Sequence, residues 1–277
     1  MIFIIVYAHN LWYNIFICDL RWDVRDIMRI KITFSAYKEW IKLPVHYNKV
    51  IQSTLYNNLP KELSDFLHNI GFYYNNRSFK LFTFSRILSE KFYFDKSQKP
   101  GLKQNSSIFF KSPIYLYISS SVIDLVENWG NFLIKTSDIK LYKNYVYIES
   151  IESVGFEDFK AKMIIRTLSP ITVYKTFENG KKYYRYYTPM EPEFEQLIKE
   201  NLKKKYELIT GNTIQEFPIK ITPIKTKKVL LKYENFPIEA YEGTFQIETD
   251  PSMFKVVYDA GLGAKNSQGF GMVEVVE

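Results

Sequence analysis

Apolar and polar residues alternate at 29–34, where Ile30, Ile32 and Phe34 take every second place against Arg29, Lys31 and Thr33. A period of two marks a strand with one face in a core. The spacing then lengthens. A helix is predicted over 48–58, and Pro60 is placed to open another that ends before Gly71, because proline's missing N–H is not needed at a first helical position. Alternation returns in S-F-K-L-F-T-F-S-R, with Phe79, Leu81 and Phe84 among its apolar members, and predicts a strand over 78–86. Strand-like runs at 91–95 and 107–118 and a helical run at 122–133 complete a β-α-β-β-α-β order with an irregular insertion.

A comparable succession follows residue 137. Strands are predicted over 162–168, 183–187, 215–221, 226–233, 243–248 and 271–276, around a helix over 191–206. Phe194, Leu197, Ile198, Leu202 and Tyr206 share one face of that helix. Acidic residues gather at its start and Lys203, Lys204 and Lys205 at its end, as the helix dipole favours. The expectation is an α+β chain of two tandem ferredoxin-like (RRM-like) units, antiparallel sheets backed by helices, over 28–136 and 137–277.

Residues 1–27 are strongly apolar, yet they lack a basic leader and a small-residue cleavage site, and His9, Asn10, Asn14 and Asp19 interrupt the run before it reaches spanning length. A second methionine, Met28, directly precedes the first alternating strand. Residues 1–27 are therefore expected to be an extension upstream of a start at Met28, with no membrane anchor.

With 46% apolar residues among 277, the chain has ample material for a core, which excludes a disordered protein. Its 37 Lys+Arg against 30 Asp+Glu leave a net charge of +7, which favours polyanionic partners. The 22 Tyr and 22 Phe suit strands and, where exposed, surfaces on which bases stack. Cys18 is the single cysteine, consistent with a reducing, cytoplasmic setting, and three histidines (His9, His46, His68) without CxxC or HExxH offer too few ligands for a zinc site. No metal or other cofactor is expected.

The ending G-L-G-A-K-N-S-Q-G-F-G-M-V-E-V places four glycines, at 261, 263, 269 and 271, within eleven positions. A phosphate-binding P-loop requires a following helix and Lys-Ser/Thr in order, and a dinucleotide fingerprint requires a βαβ unit; neither fits so close to the end of the sequence. Two readings stay open. One is a tight hairpin turn. The other is a loop whose amides meet a polyanion, with Lys265 adding charge and Asn266, Ser267 and Gln268 adding hydrogen bonds. The run Gln268-Gly269-Phe270-Gly271-Met272-Val273 partly follows an RNA-recognition pattern, with Gln in its basic place and Met in its second aromatic place.

This ending resembles the C-terminal glycine-rich signature of the CRISPR-associated endoribonucleases of the sixth Cas family. Further matching segments follow in that family's order: L-P-V-H-Y-N-K-V-I-Q-S-T-L-Y, F-L-H-N-I-G-F, F-K-L-F-T-F-S-R, T-L-S-P-I-T-V-Y and P-M-E-P-E-F. The resemblance runs from Met28 to the C-terminus. It implies cleavage of repeat RNA in precursor transcripts and binding of precursor and mature guide RNA. It also leaves room for effector-complex subunits or a second copy as partners. A Tyr-His-Lys constellation of that family falls on Tyr56, His68 and Lys80, with His46 a rival histidine. RNA contacts are expected from Gly261, Gly263, Lys265, Asn266, Ser267, Gly269, Phe270 and Gly271, and from Arg77 and Arg86. An RNA-binding subunit without activity is the competing reading.

The three residue types suit metal-free RNA cleavage. Imidazole titrates near neutrality and moves a proton, phenol stays protonated unless its surroundings shift it, and ammonium steadies charge on the phosphate. His68 is expected to be the proton-transfer group, Tyr56 to position or deprotonate the 2′-OH, and Lys80 to stabilise the transition state. Taken without the resemblance, His68 also reads as a solvated helix-end residue and Lys80 as the outer face of a sheet. Lys203, Lys204, Lys205, Lys225, Lys227 and Lys228 fit either an RNA track or a solvated helix end with a lysine-rich strand.

Overall fold

A computed structural model describes residues 28–95, 106–234 and 236–276; the expected extension 1–27 and its Cys18 lie outside the described residues. In the first unit Arg29–Ala36 forms the central strand, flanked by Asn144–Ser153 and Ile114–Ser120, with Phe82–Phe84 beyond the latter, all antiparallel to their neighbours. Helices α1 (Asn48–Asn57), α2 (Lys61–Asp65) and α3 (Ile123–Lys135) supply the crossovers. Numbered along the chain, the four principal strands lie in the order 4-1-3-2, the arrangement that a β-α-β-β-α-β succession yields when each helix returns its chain across the sheet.

The second unit repeats the plan. Its sheet runs Ile219–Tyr233, Phe236–Thr249, Lys162–Thr167 and Val273–Val275, with α4 (Pro192–Thr210) and α5 (Pro251–Ala260) as crossovers. These are two tandem ferredoxin-like units, and a single apolar cluster runs through both, from Ile32 and Trp129 to Phe245 and Val257. No helix among the described residues is long and apolar enough to cross a membrane.

Four expectations are corrected. The alternation at 78–86 hides a break: Arg77–Phe79 pairs with Phe72–Tyr74 in a hairpin, Phe82–Phe84 joins the main sheet, and Leu81 between them has φ +53. The run 107–118 is two strands, Ser107–Lys111 and Ile114–Ser120, divided at Ser112–Pro113. The unit boundary expected at 136/137 is passed by the hairpin of Ile139–Leu141 and Asn144–Ser153, because the first sheet needs that fourth strand beside Arg29–Ala36. Finally 215–221 and 226–233 are one strand, Ile219–Tyr233, whose register shifts between Pro223 and Lys225 so that the proline is carried without a ladder bond.

Helix α5 went unpredicted because eight of its ten residues are buried, leaving no amphipathic period to read. Its buried end is satisfied from both units. The Arg29 guanidinium donates to the Tyr258 carbonyl at 2.5 Å and lies 3.5 Å over the Tyr258 ring. Ser119 donates to the Asp259 carbonyl at 2.8 Å, and Lys205 Nζ donates to the Gly261 carbonyl at 2.6 Å and to Asn266 Oδ1 at 2.7 Å. Two cations at a helix C-terminus complement its dipole and its orphan carbonyls.

Candidate active site

Helix α1 carries Tyr56 on its last turn. The next helix widens into a π-turn at Phe66–Ile70, where the Gly71 N–H donates to the Phe66 carbonyl at 2.8 Å, and this turn holds His68 on the surface. Gly71 (φ +74) then reverses the chain into the Phe72–Tyr74 hairpin, whose return strand delivers Lys80. A Cβ at position 71 would stand 2.8 Å from Lys80 Nζ and 2.6 Å from the Phe79 carbonyl, so only glycine lets that ammonium settle against this peptide.

The three expected residues meet at one corner. The Tyr56 and His68 rings pack edge-on, 6.2 Å between centroids, and Lys80 Nζ donates to the Ile70 carbonyl at 3.3 Å, two residues beyond His68. His68 is exposed, its Nδ1 2.9 Å from Asn69 Oδ1. Burial pushes the Tyr56 phenol up to about 12, with nearby Tyr233 adding to the effect, and burial also holds the Lys80 ammonium below the ordinary lysine range. At neutral pH Tyr56 is therefore a hydrogen-bonding phenol and not a phenolate.

His46 lies elsewhere, in the turn before α1. Its Nδ1 accepts the Lys232 N–H at 3.2 Å, and burial, then Lys232 and Arg86, lower its pKa and keep it neutral. Arg86 sits on that same side, its guanidinium 5.4 Å from the Tyr47 ring. Arg77 is placed differently. Its charge acts on Tyr174 and on Lys204, and Lys265 Nζ stands 5.0 Å over the Tyr174 ring. Arg77, three residues before Lys80, thus lies near both Tyr174, which Lys265 covers, and Lys204.

The glycine-rich segment is largely turned inward. The N–H groups of Gly261, Gly269 and Gly271 donate to the carbonyls of Val257, Asn266 and Pro170 at 3.0, 2.9 and 2.8 Å. Phe270 is fully buried. Asn266 spends its amide on the Leu262 and Phe270 carbonyls at 3.2 and 3.0 Å. The hydrogen-bonding groups of Gly261, Gly269, Gly271 and Asn266 named above are thus engaged within the protein, and the Phe270 ring belongs to its core.

The loop also holds α1. Gln52 Nε2 donates to the Ser267 carbonyl at 2.7 Å, Asn48 Nδ2 donates to the Gln268 carbonyl at 2.8 Å, and Tyr233 donates to Gln52 Oε1. Gln52 lies one turn before Tyr56, so the second unit grips the helix that presents the tyrosine. Sequence reading passed over Tyr233 and Asn48 in this role because nothing local signals a contact across some 200 residues.

A Cβ at Gly269 would stand 2.4 Å from the Phe84 ring and 2.8 Å from Asn48 Nδ2, both in the first unit. Gly269→Ala is expected to destabilise the protein by about 1–3 kcal/mol more than Gly180→Ala, the range of overpacking in a filled core. Gly180 has the same left-handed backbone (φ +69) but open space around it. Urea unfolding of the two variants measures the difference.

No group of His, Cys, Asp and Glu among the described residues has the arrangement of a metal site. Residues 152–275 match the family model "CRISPR associated protein Cas6, C-terminal". The CRISPR-associated endoribonuclease Cas6 of Pyrococcus furiosus is 29% identical, over 84% of this chain and 84% of its own length. CRISPR-associated endoribonuclease Cas6 1 of Methanocaldococcus jannaschii is 27% identical, over 92% of this chain and 95% of its own. The solved structure of a Cas6-related gene product from Pyrococcus furiosus, 24% identical, superposes with a TM-score of 0.76 over 90% of this chain and 98% of that one, which carries the fold. Relatives along most of its length, the C-terminal family model and the shared double ferredoxin-like fold agree: residues 152–275 match the Cas6 C-terminal domain, and the chain as a whole is similar to CRISPR-associated endoribonucleases Cas6.

Proposed function

We propose that the protein cuts the repeat RNA of CRISPR transcripts at the corner formed by Tyr56, His68 and Lys80, without a metal ion. The observation that carries this is the edge-on contact of Tyr56 and His68 at 6.2 Å with the Lys80 ammonium held on the adjoining turn. The ribose 2′-oxygen bonds to the neighbouring phosphorus, its proton passing to water at this exposed corner, and the bond from phosphorus to the 5′-oxygen breaks. His68 delivers the proton that the departing 5′-oxygen needs. Tyr56, protonated at working pH, orients the 2′-OH, and Lys80 counters the charge that builds on the phosphate oxygens. The products are a 2′,3′-cyclic phosphate and a 5′-hydroxyl. Arg77 and Lys265 at Tyr174, with Lys204 beside Arg77, suit the phosphates and a base of the strand entering this corner.

The test is cleavage of repeat RNA in EDTA, beside the same RNA with a 2′-deoxy nucleotide at the cut. Cleavage is expected to persist in EDTA and to leave a cyclic phosphate, while the 2′-deoxy RNA binds and stays whole. A requirement for magnesium, or cutting of the 2′-deoxy RNA, overturns the mechanism.

A further inference from the structure

Along α1, on the side that holds His46, lies a cleft of about 470 Å³, lined among others by His46, Ser53, Asn57, Lys140, Tyr142 and Lys232. Asn57, which follows Tyr56 in α1, lines its end toward the catalytic corner. Lys49 and Tyr56 are seven residues apart on α1, two turns along the same side and about 10 Å at 1.5 Å per residue. Ser53 lies between them, so the cleft opens along the path from the cut. The volume is that of a small-ligand pocket.

Three features say what would occupy it. The first is charge. Lys49 is paired with Glu234, but among the described residues neither Lys140 nor Lys232 has a carboxylate partner, so two lysines face the cleft with their charge uncompensated. The second is donor chemistry. With Nδ1 accepting from the Lys232 N–H, a neutral His46 carries its proton on Nε2, and Ser53 and Asn57 add further polar groups.

The third is strain. Tyr142 is the first residue of the two-residue loop joining Ile139–Leu141 to Asn144–Ser153, and its φ is +59. Hairpin loops of this length put Gly, Asn or Asp at such a position, and a bulky side chain there is costly. The turn is pinned by Asn144, which donates to the Lys42 and Leu141 carbonyls at 2.8 and 2.9 Å, and the Tyr142 ring stands 40% exposed at the rim. A folding role would be met better by glycine. A residue kept in an unfavourable conformation with its ring open to solvent points to work done on a ligand.

We propose that this cleft holds one nucleotide of the RNA strand that crosses the catalytic corner, its base stacked on Tyr142 and its phosphates on Lys140 and Lys232. The proposal rests on the reading of the protein as a repeat-RNA nuclease and adds a binding subsite to it. Single-stranded nucleic acid is recognised by this combination of an aromatic platform and unpaired cations, and the neutral donors read the base edge.

Fluorescence anisotropy with labelled repeat RNA, 2′-deoxy at the cut, tests it. Tyr142→Gly is expected to weaken binding by about 5- to 100-fold, the worth of one stacked base, while leaving the urea midpoint unchanged or higher. Tyr142→Phe is expected to bind as the wild type does. Removing Lys140 or Lys232 lowers the slope of log affinity against log salt by about 0.7 each. Shortening the RNA one nucleotide at a time is expected to bring wild type down to the level of Tyr142→Gly at a single step. Wild-type affinity in Tyr142→Gly, with its fold intact, overturns the subsite and leaves the nuclease reading standing. Wild-type protein that binds and cuts no repeat RNA overturns both.

Discussion

His68→Ala is expected to slow cleavage of repeat RNA by about 10²–10⁴-fold, the worth of one positioned acid–base group, while affinity for uncleavable RNA stays close to wild type. The split follows from where the ring sits. His68 is exposed on the π-turn, and its Nδ1 neighbour is Asn69, so the substitution removes a proton carrier without opening the core. The adjacent Leu67, by contrast, is fully buried, and truncating it would disturb the fold first. Single-turnover rates and anisotropy, measured on the same preparations, separate chemistry from binding. Equal losses in both would assign His68 to RNA binding alone.

Lys205 carries the second large effect, on stability. Its ammonium is fully buried, contacts only carbonyls and the Asn266 side chain, and is driven by burial down to about 7 from an ordinary 10.5. Between those two pH values the unfolded chain holds a proton that the folded chain has released. Stability therefore rises as pH climbs from about 7 toward 10, by up to about 1.4 kcal/mol per pH unit. Below pH 7 both states are protonated and this slope vanishes. Lys205→Met is expected to remove the rise. Above about pH 10 the comparison ends, since the unfolded tyrosines ionise while burial keeps Tyr56, Tyr186 and Tyr233 protonated to about 12, and that pulls stability down. Urea unfolding at intervals from pH 6.5 to 9.5 reads the slope directly. An unchanged slope in the variant would move the buried charge elsewhere.

Lys205 also shows where reading the sequence stops. Three successive lysines at a helix end read as solvated charge, and for Lys203, whose Nζ reaches the Gln215 carbonyl on the surface, that is right. Two positions on, α4 does not end but continues to Thr210, and Lys205 falls on its inner face with Ile198, Leu202 and Ile209. The lysine's partner is the end of α5, a helix with no visible period. Nothing local encodes that pairing.

Regular amphipathic elements were legible because each needs only its own residues: α1, α3, the core of α4 and the central strand Arg29–Ala36 all appear in the spacing. Breaks were not. Leu81 at φ +53 is imposed by where the chain must go next, and apolar alternation runs straight through it; at Pro223 the reading erred the other way and ended a strand that the register shift carries on. The site divides the same way. Tyr56, His68 and Lys80 were named through their resemblance to a family, while the π-turn that carries His68 and the Gly71 reversal beside Lys80 had no sequence signal of their own. The glycine-rich ending was recognised, but its grip on α1 was not legible, since the donors that hold it, Asn48, Gln52 and Lys205, lie 60 to more than 200 residues upstream.

The central claim is that Tyr56, His68 and Lys80 act on one phosphodiester as a unit. Residues that work as a unit lose their effect together and not in proportion. The most direct measurement is the single-turnover cleavage rate, in EDTA, of Tyr56→Phe, His68→Ala and the double variant. Convergence predicts a double variant no slower than the worse single one. Losses that multiply, or a His68→Ala protein that cuts at the wild-type rate, would contradict it.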